Sequence, residues 1–265
     1  MKLRYAFCVL GVFVFTLSCN KSDGEVQEVS TVPKKGLYQN GVLSTGTVSN
    51  SGVSAPGNFH WSELQNAAGN DTSNVAFGYA CHYGTFGNYR LADDFIIPSG
   101  EIWKISKVSV YVMSEGNVAA SPFDALRLRI WKGEPSQPGA TVVYGDLTTN
   151  VLRESIDSLR YVIANSVKPS PGVAPLMDRK VWKLTAATDY TLSAGTYWLE
   201  WQTHGISGLD FYSPTVKIKG ARALPSFNTM VYNALNVWQA TTDQGNPGRF
   251  PGVRQDTPFE VEYTY

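Results

Sequence analysis

The residues with catalytic or metal-binding potential are three histidines, three cysteines and 22 carboxylic acids. The chain contains no His-Glu-x-x-His motif, no Cys-x-x-Cys pair, no Gly-x-x-x-x-Gly-Lys loop and no Gly-x-Ser-x-Gly nucleophile elbow. Cys81 and His82 are adjacent, but neighbouring strand residues point to opposite faces and cannot act together as nucleophile and base. We therefore expect no enzyme. A glycoside hydrolase is the alternative. Such an enzyme needs two carboxylates about 5–9.5 Å apart, and the sequence does not show which of its carboxylates would form the pair.

The most notable acidic pair is Asp93-Asp94, which directly precedes Phe95. A calcium ion would use one of these carboxylates together with backbone carbonyls of a neighbouring loop. The alternative is a structural role, in which the carboxylates accept hydrogen bonds from loop N–H groups where the strand enters the core. Because no Asp- and Asn-rich run accompanies the pair, we favour the structural role and expect no cofactor.

Cys19 is a candidate for lipid attachment. Lys2 and Arg4 precede an apolar run, residues 5–17, that is shorter than the roughly 20 residues needed to span a bilayer core and is typical of a signal peptide. The run ends in Thr16-Leu17-Ser18-Cys19, which resembles a bacterial lipoprotein signal, in which the cysteine becomes the lipidated first residue of the mature chain. An ordinary secretory signal with an incidental cysteine is the alternative.

This resemblance predicts the domain organisation and the location. Residues 1–18 are the lipoprotein signal peptide, residues 19–40 are the lipidated cysteine and a flexible tether, and residues 41–265 are one domain. The partner of Cys19 is membrane lipid, and the protein is exported and anchored at the outer membrane or cell surface. Asn40-Gly41 indicates a two-residue hairpin turn at the start of the domain.

Composition excludes two classes of protein. Apolar residues make up 43% of the chain and charged residues only 17%, which excludes a disordered chain. Basic and acidic residues number 22 each, so the formal net charge is +0. A nucleic-acid partner is therefore not expected, because such proteins carry a basic excess.

Period-2 alternation of apolar and polar residues dominates the predicted domain. In residues 102–113 the apolar phase changes, which predicts a bulge near Ser106 or Lys107. Many short strands, Gly- and Pro-rich turns and no helical spacers predict an all-β fold, namely a jelly-roll-like antiparallel β-sandwich.

The alternation also predicts a ligand face on two of these strands. Leu126, Leu128 and Ile130 face the core in one strand, and Tyr197, Leu199 and Trp201 face it in another, so the residues between them point outward. The predicted ligand-binding residues are Trp131, Trp198, Arg127, Arg129, Glu200 and Gln202. Indole faces stack on sugar rings, and the polar side chains bond hydroxyl groups. The alternative is that loops cover both tryptophans and make them a second core layer.

Four motifs follow one another in the chain. They are Leu91-Ala92-Asp93-Asp94-Phe95 with Pro98-Ser99-Gly100 and Trp103; Leu128-Arg129-Ile130-Trp131; Gly145-Asp146-Leu147-Thr148-Thr149-Asn150; and Leu192-Ser193-Ala194-Gly195-Thr196-Tyr197-Trp198-Leu199. In this order they resemble a module of bacterial secreted and surface proteins, especially of the Bacteroidota. The resemblance runs from about Gly41 to Tyr265 and implies an extracellular jelly-roll-like sandwich of undefined function.

These observations lead to one preferred function and two alternatives. We expect a noncatalytic surface lipoprotein that acts as a binding or assembly module, with polysaccharide or a surface protein as its partner. The alternatives are a glycan-processing enzyme of the cell envelope and a structural or adhesive subunit that binds another protein through a sheet edge.

Overall fold

The computed structural model describes residues 33–66, 72–84, 87–116, 118–164, 175–206 and 209–265. These ranges consist of strands and loops and contain no helix, so they include no apolar helix of membrane-spanning length. Cys19 lies outside the described residues. The strands are β1 Lys35–Gln39, β2 His60–Glu63, β3 Gly78–Ala80, β4 Tyr83–Gly84, β5 Gly87–Asn88, β6 Arg90–Ser114, β7 Phe123–Lys132, β8 Thr141–Asp146, β9 Leu152–Ile163, β10 Lys180–Gly205, β11 Phe211–Pro214, β12 Met230–Tyr232, β13 Trp238–Ala240, β14 Thr242–Asp243, β15 Val253–Arg254 and β16 Phe259–Thr264.

Two long strands, β6 and β10, form the spine of a single 12-stranded sheet. They pair antiparallel along most of their length, but residues 98–101 face only Ala194, since Ile97 pairs with Gly195 and Ile102 pairs with Ser193. Both strands therefore bend at this bulge, where Pro98 lacks an N–H group and Gly100 has a φ of 86°. The bend divides the sheet into two half-sheets.

The half-sheets share β6 and β10 but have different outer strands. The first half-sheet has the order β13-β12-β6-β10-β7-β8 and uses residues 90–97 of β6. The second has the order β1-β16-β6-β10-β9-β2 and uses residues 102–114 of β6. The remaining two strands are β11, which pairs with Met113 and Ser114 of β6, and β3, which pairs with β11. All pairs are antiparallel except β2 with β9, which is parallel, a departure from the wholly antiparallel sheet that the alternation predicts.

The core lies between the half-sheets. Phe95, in the first, lies 6.3 Å from Phe259, in the second, and Trp201 lies 6.2 Å from Phe259, as ring centroids. The predicted inward residues of β7 and β10 are all buried in this cluster, with Leu126, Leu199 and Trp201 at 0% exposure. The predicted all-β, single-domain fold and the strand phase are confirmed, and the curled sheet is compatible with a jelly-roll-like sandwich.

The bulge predicted near Ser106 is present. Lys107 pairs with Glu262 and Ile105 pairs with Tyr263, so Ser106 has no register partner in β16, although its hydroxyl donates to the carbonyl of Glu262 at 3.2 Å. The extra residue restores the apolar phase, so that Ile105 and Val108 both face the core.

The sheet begins before the predicted domain start at residue 41. Leu37 and Tyr38 belong to β1, which pairs with β16 rather than with residues 42–43. The predicted hairpin at Asn40-Gly41 is therefore wrong, because β16 offers β1 a partner along its whole length. Gly41 instead allows a close turn with a φ of 78°, where a Cβ atom would lie 2.5 Å from the methyl groups of Val216.

Candidate functional site

The outer face of the first half-sheet carries arginine and aromatic side chains from five strands. Cross-strand pairs set the neighbours: Trp131 lies opposite Trp198, Arg129 lies opposite Glu200, and Tyr232 lies opposite Arg90. We call this surface the arginine–tryptophan face. Its members are Arg90, Arg127, Arg129, Trp131, Trp198, Glu200, Gln202, Tyr232 and Trp238.

Glu200 is the centre of this face and is completely buried. Its Oε2 accepts a hydrogen bond from Nε of Arg129 at 2.7 Å and from the indole Nε1 of Trp131 at 2.5 Å. Its Oε1 accepts from Nη2 of Arg129 at 2.8 Å and lies 2.6 Å from Nε of Arg90. A buried carboxylate surrounded in this way by two guanidinium groups and an indole N–H fixes the planes of these groups.

The outward residues of β10, Trp198, Glu200 and Gln202, are buried and offer no exposed surface to a ligand; for Trp198 the alternative of a covered side chain holds. Trp198 is only 5% exposed and packs with Ala92 and Met230. Gln202 is 1% exposed, and its Nε2 donates to Oδ1 of Asn88 at 2.6 Å and to the carbonyl of Tyr89 at 3.1 Å. The alternation gave the correct face, but side chains of neighbouring strands in the same half-sheet, such as Met230 of β12, and the chain around Tyr89 cover these residues.

The neighbouring strands supply the part of the face that is accessible. Arg127, Arg129 and Trp131 are half-buried. The guanidinium of Arg127 lies 3.5 Å from the ring centroid of Tyr83, and that of Arg129 lies 4.8 Å from the ring of Trp131. Both distances are within the range of cation–π attraction, so these side chains are held in place before any ligand arrives.

Sequence reasoning missed three members of the face. Arg90 precedes the first motif, and its guanidinium lies 3.5 Å from the ring of Tyr232 and 5.7 Å from that of Trp238. Tyr232 and Trp238 belong to strands of three residues each. The alternation Met230, Tyr232 and Trp238, Ala240 around an Asn-containing loop was the available signal, but it is too short to distinguish from a loop.

Asp93 and Asp94 are held by protein donors. Oδ2 of the fully buried Asp93 accepts from Nδ2 of Asn40 at 2.8 Å, from the N–H of Thr257 at 3.2 Å and from the hydroxyl of Thr229. Its Oδ1 accepts from the N–H of Asp94 at 2.9 Å. These contacts are those of the structural role that the sequence favours, in which a carboxylate joins loops to the strand.

The same contacts leave little place for a cation. Burial, and then the charge of Asp256, raises the pKa of Asp93 well above its ordinary value. Asp94 points to the other side of the strand, where its Oδ1 accepts from Nδ2 of Asn228 at 3.1 Å. Among the described residues no group of three or more His, Cys, Asp or Glu side chains is arranged to hold a metal ion.

Cys81 is a buried core residue. It has 0% exposure, its Sγ lies 3.8 Å from the hydroxyl of Thr203, and burial raises the pKa of its thiol to about 12. A thiol in this state is a poor nucleophile.

Comparison with known proteins adds no family to this description. No protein-family model, curated protein or solved structure matches the chain.

Proposed function

We propose that this protein is a noncatalytic surface lipoprotein whose β-sandwich binds glycans through the arginine–tryptophan face. The observation that carries the proposal is the bonding of Arg129 and Trp131 to the buried carboxylate of Glu200. Both side chains are half-buried and fixed, so a ligand does not have to order them. Binding sites prepared in this way lose less conformational entropy on association.

The chemistry of the face suits a sugar chain. The indole of Trp131 offers a flat apolar surface for a sugar ring, and Arg127 and Arg129 offer several N–H donors for hydroxyl or carboxylate oxygens. Arg90 adds a third guanidinium, while Glu200 supplies the one carboxylate among the members of this face. The excess of positive charge favours glycans that carry carboxylate groups.

The proposal includes a lipid anchor at Cys19, which would hold this module at the outer membrane or cell surface. The support is the sequence before the domain, with its short apolar run and Thr16-Leu17-Ser18-Cys19. A tether that follows the anchor gives the sandwich access to extended polymers outside the bilayer.

The proposal is tested by measuring binding of the full-length chain in detergent micelles to a neutral and a uronic-acid polysaccharide. Trp131→Ala is expected to weaken binding at least about tenfold, which corresponds to roughly 1.4 kcal/mol. Tyr265→Ala is the matched control, because Tyr265 is an aromatic residue 49% exposed outside this face. Equal affinities of the two variants for every polysaccharide bound by the parent contradict the proposal.

A second candidate, an adhesive subunit, is favoured by β8. Within the described ranges this strand pairs only with β7, and Val142 is 39% exposed. An open edge accepts a strand from another chain. Val142→Lys is then expected to abolish self-association seen by sedimentation velocity, and a parent chain that is monomeric at high concentration contradicts this candidate.

A further inference from the structure

A cavity of about 140 Å³ lies on the outer face of the second half-sheet. Val110 and Val112 of β6 face the core, so Tyr111 between them points outward into the cavity wall. The chain from Gly41 to Ser44 and residues of β1, β9 and β16 complete the wall. We call this space the Arg160 cavity, after the arginine of β9 that lines it.

The cavity differs in charge from a second pocket, which is lined by Ala80, His82, Tyr89, Asp210 and Tyr212. There the charged side chain has a partner, because Oδ1 of Asp210 lies 3.6 Å from Nε2 of His82. In the Arg160 cavity one of the two charged side chains is balanced and the other is not.

The balanced group is Glu260. Its Oε2 accepts from Nζ of Lys183, with which it forms an ion pair. Its Oε1 accepts from the hydroxyl of Tyr111 at 2.7 Å and from Nε2 of Gln39 at 2.9 Å. Both oxygens therefore bond to donors of the protein, and Lys183 neutralises the charge of the carboxylate.

The unbalanced group is the half-buried Arg160. Its Nη1 donates to the carbonyl of Ser158 at 2.7 Å, and its Nε is buried without an acceptor among the described residues. Within the same part of the chain Arg160 forms no ion pair. A guanidinium group is always protonated, so its nitrogen atoms are donors in every case. A half-buried cation without a counter-charge is unfavourable, and an anion bound beside it would offset this cost.

The backbone of β9 is strained directly before Arg160. Leu159 has a φ of 57°, in the left-handed region that residues other than glycine rarely adopt. It belongs to a bulge, because Asp157 pairs with Trp182 while Arg160 pairs with the preceding residue of β10, Val181. Bulges bend a strand and re-aim its side chains. Strain of this kind is concentrated at binding sites, which agrees with a ligand-binding role for the arginine that follows it.

The remaining wall of the cavity selects the kind of anion. Val42, Leu43 and Pro258 supply apolar surface. The volume is below the about 300–1,000 Å³ of sites that enclose a drug-sized ligand, so the cavity admits a small molecule or the end of a larger one. A carboxylate on an aliphatic carbon suits both features, because its oxygens accept from a guanidinium group and its carbon atoms contact the apolar wall. Phosphate has no apolar part.

We propose that the Arg160 cavity binds the carboxylate of an aliphatic acid. Arg160 pairs with the carboxylate, and Val42, Leu43 and Pro258 contact the adjoining carbon atoms. Two sources carry this chemistry, namely a free short-chain acid and the C-terminal residue of a peptide that ends in an aliphatic side chain. The inference does not rest on glycan binding at the arginine–tryptophan face.

The test is titration of the full-length chain with isobutyrate and with acetylated glycyl-valine, followed by calorimetry and by the backbone amide shifts of Val42 and Leu43. Isobutyramide and the C-terminal amide of the same peptide are the controls, because they are similar in shape and uncharged. At least one acid is expected to bind at least about tenfold more tightly than its amide, and comparison of the two acids identifies the source. Binding of neither acid, equal binding of acids and amides, or tighter binding of inorganic phosphate overturns the proposal.

Variants assign the binding to the cavity. Arg160→Gln is expected to weaken acid binding at least about tenfold, whereas Arg153→Gln is expected to leave it unchanged. Arg153 is the matched control because it is an exposed arginine of the same strand and does not line the cavity. Unchanged acid affinity in a folded Arg160→Gln protein overturns the proposal.

A second variant keeps the proposal open to refutation if Arg160→Gln is unstable. Val42 lines the cavity but is 56% exposed, so Val42→Asp adds a carboxylate there without cutting into the core. It is expected to abolish acid binding, whereas Val48→Asp, at a valine 55% exposed outside the lining, is expected to keep it. A Val42→Asp protein that binds the acids like the parent overturns the proposal. Trp131→Ala is expected to keep acid binding, which separates this site from the arginine–tryptophan face.

Discussion

Arg129 and Glu200 face each other across β7 and β10 and share two parallel hydrogen bonds, from Nε to Oε2 at 2.7 Å and from Nη2 to Oε1 at 2.8 Å. The carboxylate is completely buried, while the arginine side chain keeps 19% of its surface exposed. A bidentate pair of this kind orients the plane of the guanidinium group and also neutralises its charge. The pair therefore links the buried layer of the face to its accessible side.

Glu200→Gln is expected to destabilise the fold by about 3–5 kcal/mol, because it leaves Arg90 and Arg129 beside a neutral side chain with one acceptor. Urea unfolding at pH 7 measures this loss. Glu262→Gln is the control: Glu262 pairs with Lys107 with both side chains largely exposed, and a change of less than about 1 kcal/mol is expected there. Similar losses in the two variants contradict a central role for Glu200.

Trp201→Ala is expected to cost about 3–5 kcal/mol, since the side chain is fully buried between the half-sheets. Its Nε1 has no hydrogen-bond partner in the described structure, so Trp201→Phe removes volume without breaking a bond and is expected to cost less. Denaturation midpoints of both variants test the ranking. An unchanged midpoint for Trp201→Ala contradicts a contribution of this buried side chain to stability.

Asp256 is expected to make stability fall as the pH rises from about 4 to 6. Burial raises its pKa from 3.8 to about 6, so the folded state holds the proton more tightly than the unfolded state. Protonated Asp256 therefore stabilises the fold at pH values below the pKa that this group has in the unfolded chain. The stabilisation is lost as the pH rises through its pKa in the folded state. In Asp256→Asn the side-chain oxygen still accepts from the N–H groups of Asn228 and Thr229.

The free energy of unfolding measured from pH 4 to pH 7 tests this dependence. The slope with pH is expected to be smaller in Asp256→Asn than in the parent. Asp210→Asn is the control, because Asp210 is half exposed. Identical slopes for Asp256→Asn and the parent rule out the proposed linkage.

Lys217→Met is expected to stabilise the fold at neutral pH. Burial lowers the pKa of Lys217 from 10.5 to about 7, although the charge of Asp243 opposes this shift. In the unfolded chain the amine keeps its proton up to higher pH, so parent stability rises between about pH 7 and 10. The methionine side chain removes both the rise in stability with pH and the free-energy cost of burying the amine. Lys219→Met, at an exposed position, is expected to change little. A parent curve that is flat over this pH range argues against a neutral buried amine.

Cys19→Ala is expected to release the protein from membranes or to block its processing. Each buried CH₂ group adds about 0.8 kcal/mol to membrane binding, and two or more chains give stable attachment where one does not. Labelled fatty-acid incorporation and detergent partitioning measure the effect. If the variant is labelled and partitions like the parent, Cys19 is not the lipidated residue.

The strands with clear alternation were predictable, and their environment was not. In β7 and β10 the period-2 pattern gives the correct inward residues, because alternation is a local property of an extended chain. The burial of Trp198 and Glu200 depends instead on Met230 and Arg90, which come from distant parts of the chain. Local patterning identifies a face but not what covers it.

The edge of the sheet shows the same limit. Asn40-Gly41 carries a strong hairpin signal, yet β1 pairs with β16, and Lys35 lies opposite Thr264. Such a pairing has no signature in sequence spacing. The pocket lined by His82, Asp210 and Tyr212 was also beyond prediction, because these residues come from distant parts of the chain.

The position of β16 between β1 and β6 also sets the order in which the molecule is completed. Until Phe259–Thr264 arrives, the edges of β1 and of the second half of β6 have no partner, and Phe95 and Trp201 lack the ring that covers them. Pairing between such distant segments is slow, and open edges in the meantime are prone to join other chains. A chain cut before Phe259 is therefore expected to aggregate. The sheet and its core are complete only after the C-terminal strand β16 has paired with β1 and β6.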